Sequence, residues 1–106
     1  SSGALNFLPV CREPNLYETL LYLRNSGLQI IACTEKTEKS LFEVDFTIPT
    51  VIIMGSEEDG ISKEFIQLAD SGAKIPLMGK VESLNVSAAS SIVLYETVRQ
   101  RMVAKV

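Results

Sequence analysis

Val51-Ile52-Ile53-Met54-Gly55-Ser56-Glu57-Glu58-Asp59-Gly60-Ile61-Ser62 joins a short, unbroken apolar run to an acidic loop bounded by two glycines. Such a run reads as a strand buried on both faces, and strands of that kind belong to parallel sheets covered by helices on each side. Further apolar runs predict strands at residues 7–11, 28–33 and 73–77 beside the one at 50–54. Between the first two, Leu16, Leu20 and Leu23 recur at helical spacing. Asn15 stands as N-cap with Glu18 three residues on, and Gly27 as the stop, so the spacing predicts a helix over 16–26. Ser62 begins a short helix carrying Phe65, Leu68 and Ala69, which Gly72 ends. A final helix starts near Asn85 and runs to about Met102. Strands alternating with helices predict one α/β domain, a parallel sheet with flanking helices.

Residues 34–47 are polar and charged and read as a surface excursion. The last helix is different. Val86, Ala89 and Val93 make one apolar face, and Ala88, Ile92 and Tyr95 make another. A helix apolar on more than one face is contacted from several sides, and a homodimer through this helix is the expectation. Arg99, Arg101 and Lys105 near its end are read as complements to the helix dipole.

With 106 residues the chain suits a single domain but is short for a complete α/β enzyme. Its net charge of −3 gives no long-range help in binding a polyanion. There is no apolar run near the roughly 18 residues that span a bilayer and no leader pattern, so a soluble cytoplasmic protein is expected. Cys11 and Cys33 fall in apolar runs and are expected as reduced core thiols. The sequence contains no His, which removes Ser-His and Cys-His catalysis and leaves zinc without a ligand set.

The loop from Gly55 to Gly60 lies where ligands bind in open α/β sheets, beyond the C-terminal end of a strand. Its glycine spacing imitates a phosphate-binding loop, yet Ile61 stands where the lysine belongs and three acids fill the interval. Phosphate would be repelled. A plain strand-to-helix turn accounts equally well for the loop taken alone, and a Mg²⁺ site on Glu57, Glu58 and Asp59 suffers from consecutive side chains diverging. The second loop, Met78 to Asn85, offers Gly79, Ser83 and Asn85 before the last helix. Capping of that helix by Ser83 or Asn85 explains those residues without a ligand.

Taken in order, V-I-I-M-G-S-E-E-D-G-I-S from Val51 and K-I-P-L-M-G-K-V-E-S-L-N-V-S-A-A-S-S-I-V-L-Y-E from Lys74 resemble the second and third signature motifs of the SpoU-type ribose 2′-O-methyltransferases of the SPOUT superfamily. The resemblance runs nearly end to end. It implies S-adenosylmethionine as cofactor, bound by backbone groups of Gly55, Ile75 and Leu84, with Met78 and Gly79 as further cofactor-binding positions. It further implies Glu57, Ser83 and Asn85 as the polar active-site positions, tRNA or rRNA as substrate, a trefoil-knotted α/β fold, and a two-fold homodimer through the last helix. The family's first motif, with its Asn and the Arg that activates the ribose hydroxyl, has no counterpart here. Arg12, Arg24, Arg99 and Arg101 do not align with it. The resemblance therefore implies an N-terminally truncated domain that carries the cofactor motifs but is inactive alone. A non-catalytic cofactor- or RNA-binding module on the same fold is the second reading. An unrelated nucleotide-binding domain is a third, weaker one.

Overall fold

The computed structural model describes residues 5–9, by their backbone, together with residues 16–55, 60–78 and 85–104. Among them the elements run β1 (Leu5–Pro9), α1 (Leu16–Asn25), β2 (Gln29–Cys33), a 3-10 turn (Leu41–Glu43), β3 (Thr50–Met54), α2 (Lys63–Leu68), β4 (Ser71–Ala73) and α3 (Val86–Ala104). The strands form one sheet in the order β1-β3-β2-β4, and every pairing is parallel. Thr50 is flanked by Leu5 on one side and Gln29 on the other, and Met54 by Pro9 and Cys33.

All five residues of β3 are buried. The pleat sends them alternately to two cores. Val51 and Ile53, with Ile30 of β2, pack against Leu16 and Leu20 of α1 and Phe65 and Leu68 of α2. Ile52 and Met54, with Ile31, pack against Ala89 and Val93 of α3 and against Leu41, Val44 and Phe46. The molecule is thus three layers deep, helices on both faces of a parallel sheet, as the alternation predicts.

Helix α1 ends as its sequence dictates. Gly27 lies at φ 96°, the N–H of Leu28 donates to the Leu23 carbonyl and that of Gly27 to the Arg24 carbonyl, the paired bonds of a glycine-terminated helix. The Asn15 cap lies outside the described residues. Asp70 ties α2 to the sheet: its carboxylate accepts from the Ile30 N–H at 2.7 Å, and Arg24 of α1 stands 3.6 Å from the same carboxylate.

Four expectations need correction. The first strand starts at Leu5, two residues earlier than read, and its expected end at Cys11 lies outside the described residues. The last strand is Ser71–Ala73, not 73–77. Its ladder to β2 stops where β2 stops. Lys74 then gives its N–H to the Lys39 carbonyl and accepts from the Leu41 N–H, and Pro76 has no N–H to offer a ladder. For the same reason Gly72 is a strand residue and α2 ends earlier, at an Ala69 cap, while the Ser62 side chain makes no capping bond. Finally, the excursion at 34–47 is only half a surface loop. Leu41, Val44 and Phe46 are buried, and a capping box between Ser40 and Glu43 starts the turn that turns them inward.

The segment carrying Val44 and Phe46 is fastened to α3 by side chains. Gln100 accepts from the Phe46 N–H at 2.7 Å and donates to the Val44 carbonyl at 2.9 Å and to Glu96 at 2.8 Å. Glu96, 5% exposed, also receives two hydrogen bonds from Arg99. Arg101 donates to the Phe46 carbonyl. Arg99 and Arg101 therefore hold specific partners beyond any dipole effect, and Lys105 lies outside the described residues. The hydrogen bonds from Arg99 hold the Glu96 carboxyl below its ordinary value of 4.5, and the one from Gln100 adds to the effect while burial opposes it. A carboxyl depressed on folding contributes stability above its unfolded pKa and loses it as pH falls through the folded one. Denaturant titrations should show Gln100→Ala destabilised by about 1–3 kcal/mol, because the Phe46 N–H loses its partner. Glu96→Gln should flatten the acid limb of the stability profile below pH 4.5 relative to wild type, and an unchanged limb would assign that limb to other carboxyls.

Candidate functional site

A cavity of about 580 Å³ opens at the C-terminal ends of β2 and β3, the expected position for a ligand in a parallel sheet. Its volume suits a small-molecule cofactor. The floor comes from Met54 and Gly55 at the end of β3, and one wall from Val86 and Ala89 in the first turns of α3. Gly60 and Ile61 close a second side, Ile75 and Leu77 a third. Cys33, Thr34, Glu35 and Lys36, at the end of β2, make the remaining rim. The lining is divided: aliphatic on the β3, α3 and 75–77 sides, polar along 33–36 and at Asn85.

The two glycines shape the loop between them. A Cβ on Gly55 would sit 2.5 Å from the Gly60 carbonyl carbon and 2.8 Å from its Cα, a contact no side chain tolerates. Gly60 lies at φ 67°, in the left-handed region that favours glycine. The loop's two ends meet because Gly55 leaves room for the Gly60 backbone and Gly60 takes the left-handed turn.

Asn85 has two roles open to it. Its Oδ1 accepts from the Ala88 N–H at 2.8 Å, capping α3. The same residue lines the cavity, and its Nδ2 has no partner among the described residues. Of the other positions singled out in the sequence, Gly55 and Ile75 line the cavity, whereas Met78 is 90% exposed and is not part of the lining. Glu57, Gly79, Ser83 and Leu84 lie outside the described residues, as do Glu58, Asp59, Lys80 and Glu82. Among the described residues no group of His, Cys, Asp and Glu is placed to hold a metal ion.

Sequence reasoning did not pick out the rim at Cys33–Lys36. Those residues read as the tail of a strand and the start of a polar excursion. The signal that would have found them is topological: β2 lies beside β3 in the sheet, so its C-terminal loop must open into the same crevice. Burial, and next the charge of Glu35, push the Cys33 thiol up from its ordinary value, which disfavours the thiolate.

The donor set fits S-adenosylmethionine in outline. An aliphatic slot can take a flat purine, backbone at Gly55 and Ile75 can recognise it, and a polar rim can meet a charged tail. The same lining has no nest of lysine or arginine for a polyphosphate among its described residues.

Comparisons with known proteins agree with this geometry. The model of the SpoU rRNA Methylase family matches residues 1–95. A tRNA (guanosine(18)-2′-O)-methyltransferase of Thermus thermophilus is 38% identical over 105 residues, covering 98% of this chain and 54% of that protein. A 23S rRNA (guanosine-2′-O-)-methyltransferase of Ralstonia nicotianae is 39% identical over 103 residues, covering 97% and 41%. The chain thus spans about half the length of the curated relatives it matches. Among solved structures, the SpoU methyltransferase AviRb from Streptomyces viridochromogenes in complex with AdoMet superposes with a TM-score of 0.72 at 32% identity, covering 88% of this chain and 36% of that one. The TrmH/SpoU tRNA modifying enzyme of A. aeolicus gives 0.74 at 41%, covering 83% and 45%. With the family match extending over most of the chain and the cavity where a bound cofactor would be expected, the chain belongs to the SpoU rRNA Methylase family.

Proposed function

We propose that the protein containing this chain transfers a methyl group from S-adenosylmethionine to a ribose 2′-hydroxyl of tRNA or rRNA. The observation that carries this reading is the cavity between β2, β3 and α3, whose lining includes Gly55, Ile75 and Asn85, in a chain of this family. When bound, S-adenosylmethionine would supply an electrophilic methyl on a sulfonium sulfur. A carbon–oxygen bond forms to the ribose as the carbon–sulfur bond breaks, sulfur keeps the electron pair, and the hydroxyl proton passes to a base. Such a displacement gains mainly from positioning. Ile75, Leu77 and Val86 would exclude water beside the cofactor, and the Nδ2 of Asn85, without a partner among the described residues, would orient a polar group at the mouth.

Glu57 and Ser83 are assigned to the same polar constellation as Asn85. Among the described arginines none lines the cavity: Arg24 faces Asp70, Arg99 is bound to Glu96 and Arg101 to the Phe46 carbonyl. The arginine to which the family resemblance assigns the proton is therefore sought outside the described residues. A general base in place is commonly worth about 10²–10⁴-fold.

In the full-length protein, tritiated methyl should appear in bulk tRNA or rRNA as 2′-O-methylribose, and calorimetry should register S-adenosylmethionine but neither ATP nor NAD. Asn85→Ala should lower both turnover and melting temperature, because cap and donor go together. Asn85→Asp keeps the cap and removes the donor, so it should lower turnover at unchanged melting temperature. Cofactor binding without methyl transfer would favour the non-catalytic module, and methyl on a base nitrogen would rule out ribose chemistry.

The homodimer through α3 is part of the same proposal. Supporting it, Tyr95, Val98 and Met102 recur along one side of α3 and are 74%, 41% and 66% exposed, with Phe42 at 64% beside them. Ile92, Tyr95 and Phe42 line a shallow groove there. An isologous contact would cover this surface in both copies at once. Light scattering should give a dimer mass for wild type and a monomer for Ile92→Asp; a wild-type monomer at high micromolar concentration would contradict the interface.

The knotted topology and a cytoplasmic location complete the reading, with residues 1–106 forming one domain. No described helix is long and apolar enough to cross a membrane. Threading a tail through a loop adds a slow step to ordinary closure, so refolding from an unthreaded, chemically unfolded chain should lag far behind that of unknotted α/β domains. Single-phase millisecond refolding would argue against the knot.

A further inference from the structure

Glu35 and Lys36 occupy the polar rim of the cavity, and nothing in the proposed chemistry uses them. Both are exposed, and neither joins an ion pair among the described residues. The backbone that carries them is fixed. The Thr34 N–H donates to the Ala73 carbonyl at 2.9 Å, and the Lys36 N–H to Thr34 Oγ1 at 3.2 Å. Gly72 leaves room for the loop, since a Cβ there would stand 3.3 Å from Thr34 Cγ2.

A lysine alone at the mouth would suit an RNA phosphate. The carboxylate next to it works against that use, because the two charges offset one another at phosphate distance. Opposite charges on consecutive residues suit a ligand that carries both signs close together. An α-amino acid does so on a single carbon, and the aliphatic part of the lining is left for the rest of the ligand.

We propose that Glu35 and Lys36 hold the amino-acid end of the cofactor, the Glu35 carboxylate facing its α-ammonium and the Lys36 ammonium facing its α-carboxylate. The inference rests on the cofactor reading above. Both residues line the same cavity as Gly55 and Ile75, so their charges border the space where such a group would lie. Because both side chains are partly in water, each contact is modest and screened.

The test compares S-adenosylhomocysteine with 5′-methylthioadenosine, which keeps the adenosine but has no amino-acid end, by calorimetry on the full-length protein. Wild type should prefer S-adenosylhomocysteine. Glu35→Gln and Lys36→Met should each weaken it by about threefold to tenfold, the range of an exposed charge-assisted contact, and leave 5′-methylthioadenosine and the melting temperature unchanged. Equal losses for both ligands, or no loss for either, would overturn the proposal. So would a Lys36→Met variant that raises only the KM for RNA, which would give Lys36 to a phosphate. Wild type binding neither compound would overturn the cofactor reading itself, and this assignment with it.

Discussion

β3 has no face turned to water. Its five residues are buried between two parallel neighbours and two helical layers, so every other element is positioned by what it must cover. α1 and α2 cover Val51 and Ile53; α3 and the 41–46 segment cover Ile52 and Met54. Full burial of an aliphatic side chain contributes about 1.5–3 kcal/mol, and this strand collects that from Val51, Ile52, Ile53 and Met54. The cavity follows from the same constraint. Where β3 ends, the two layers still stand apart, and the chain must leave through Gly55.

The polar relay on α3 is the second constraint. Gln100 occupies the backbone groups that residues 44 and 46 would otherwise expose, and Glu96 holds Gln100 in place. Both residues lie on the helix whose first turns supply the cavity wall at Val86 and Ala89. The far end of α3 thus anchors the core that its near end shapes into a site.

Much of this was legible in the sequence because burial writes itself into pattern. β3 is an uninterrupted apolar run, α1 carries leucines at helical spacing before a glycine, and Val86, Ala89 and Val93 mark the inward face of α3. The inward turn at Leu41, Val44 and Phe46 was hidden by the charges of residues 35–39, and the early end of β4 by a partner change at Lys74 that no local pattern encodes. For the site, Gly55, Ile75 and Asn85 were visible through their motifs, since loop chemistry recurs as fixed spacing. The rim at Glu35 and Lys36 was not. It depends on which strands are neighbours, and strand order is a property of the whole sheet.

The bonds at Lys74 also bear on how the molecule meets copies of itself. An outer strand with free N–H and C=O groups is a template on which another chain can add. β4 is three residues long, its next residue already gives both backbone groups to residues 39–41, and a proline follows two positions later. On this side the chain's own residues occupy the edge at Lys74, so only the short β4 is left for strand-by-strand growth.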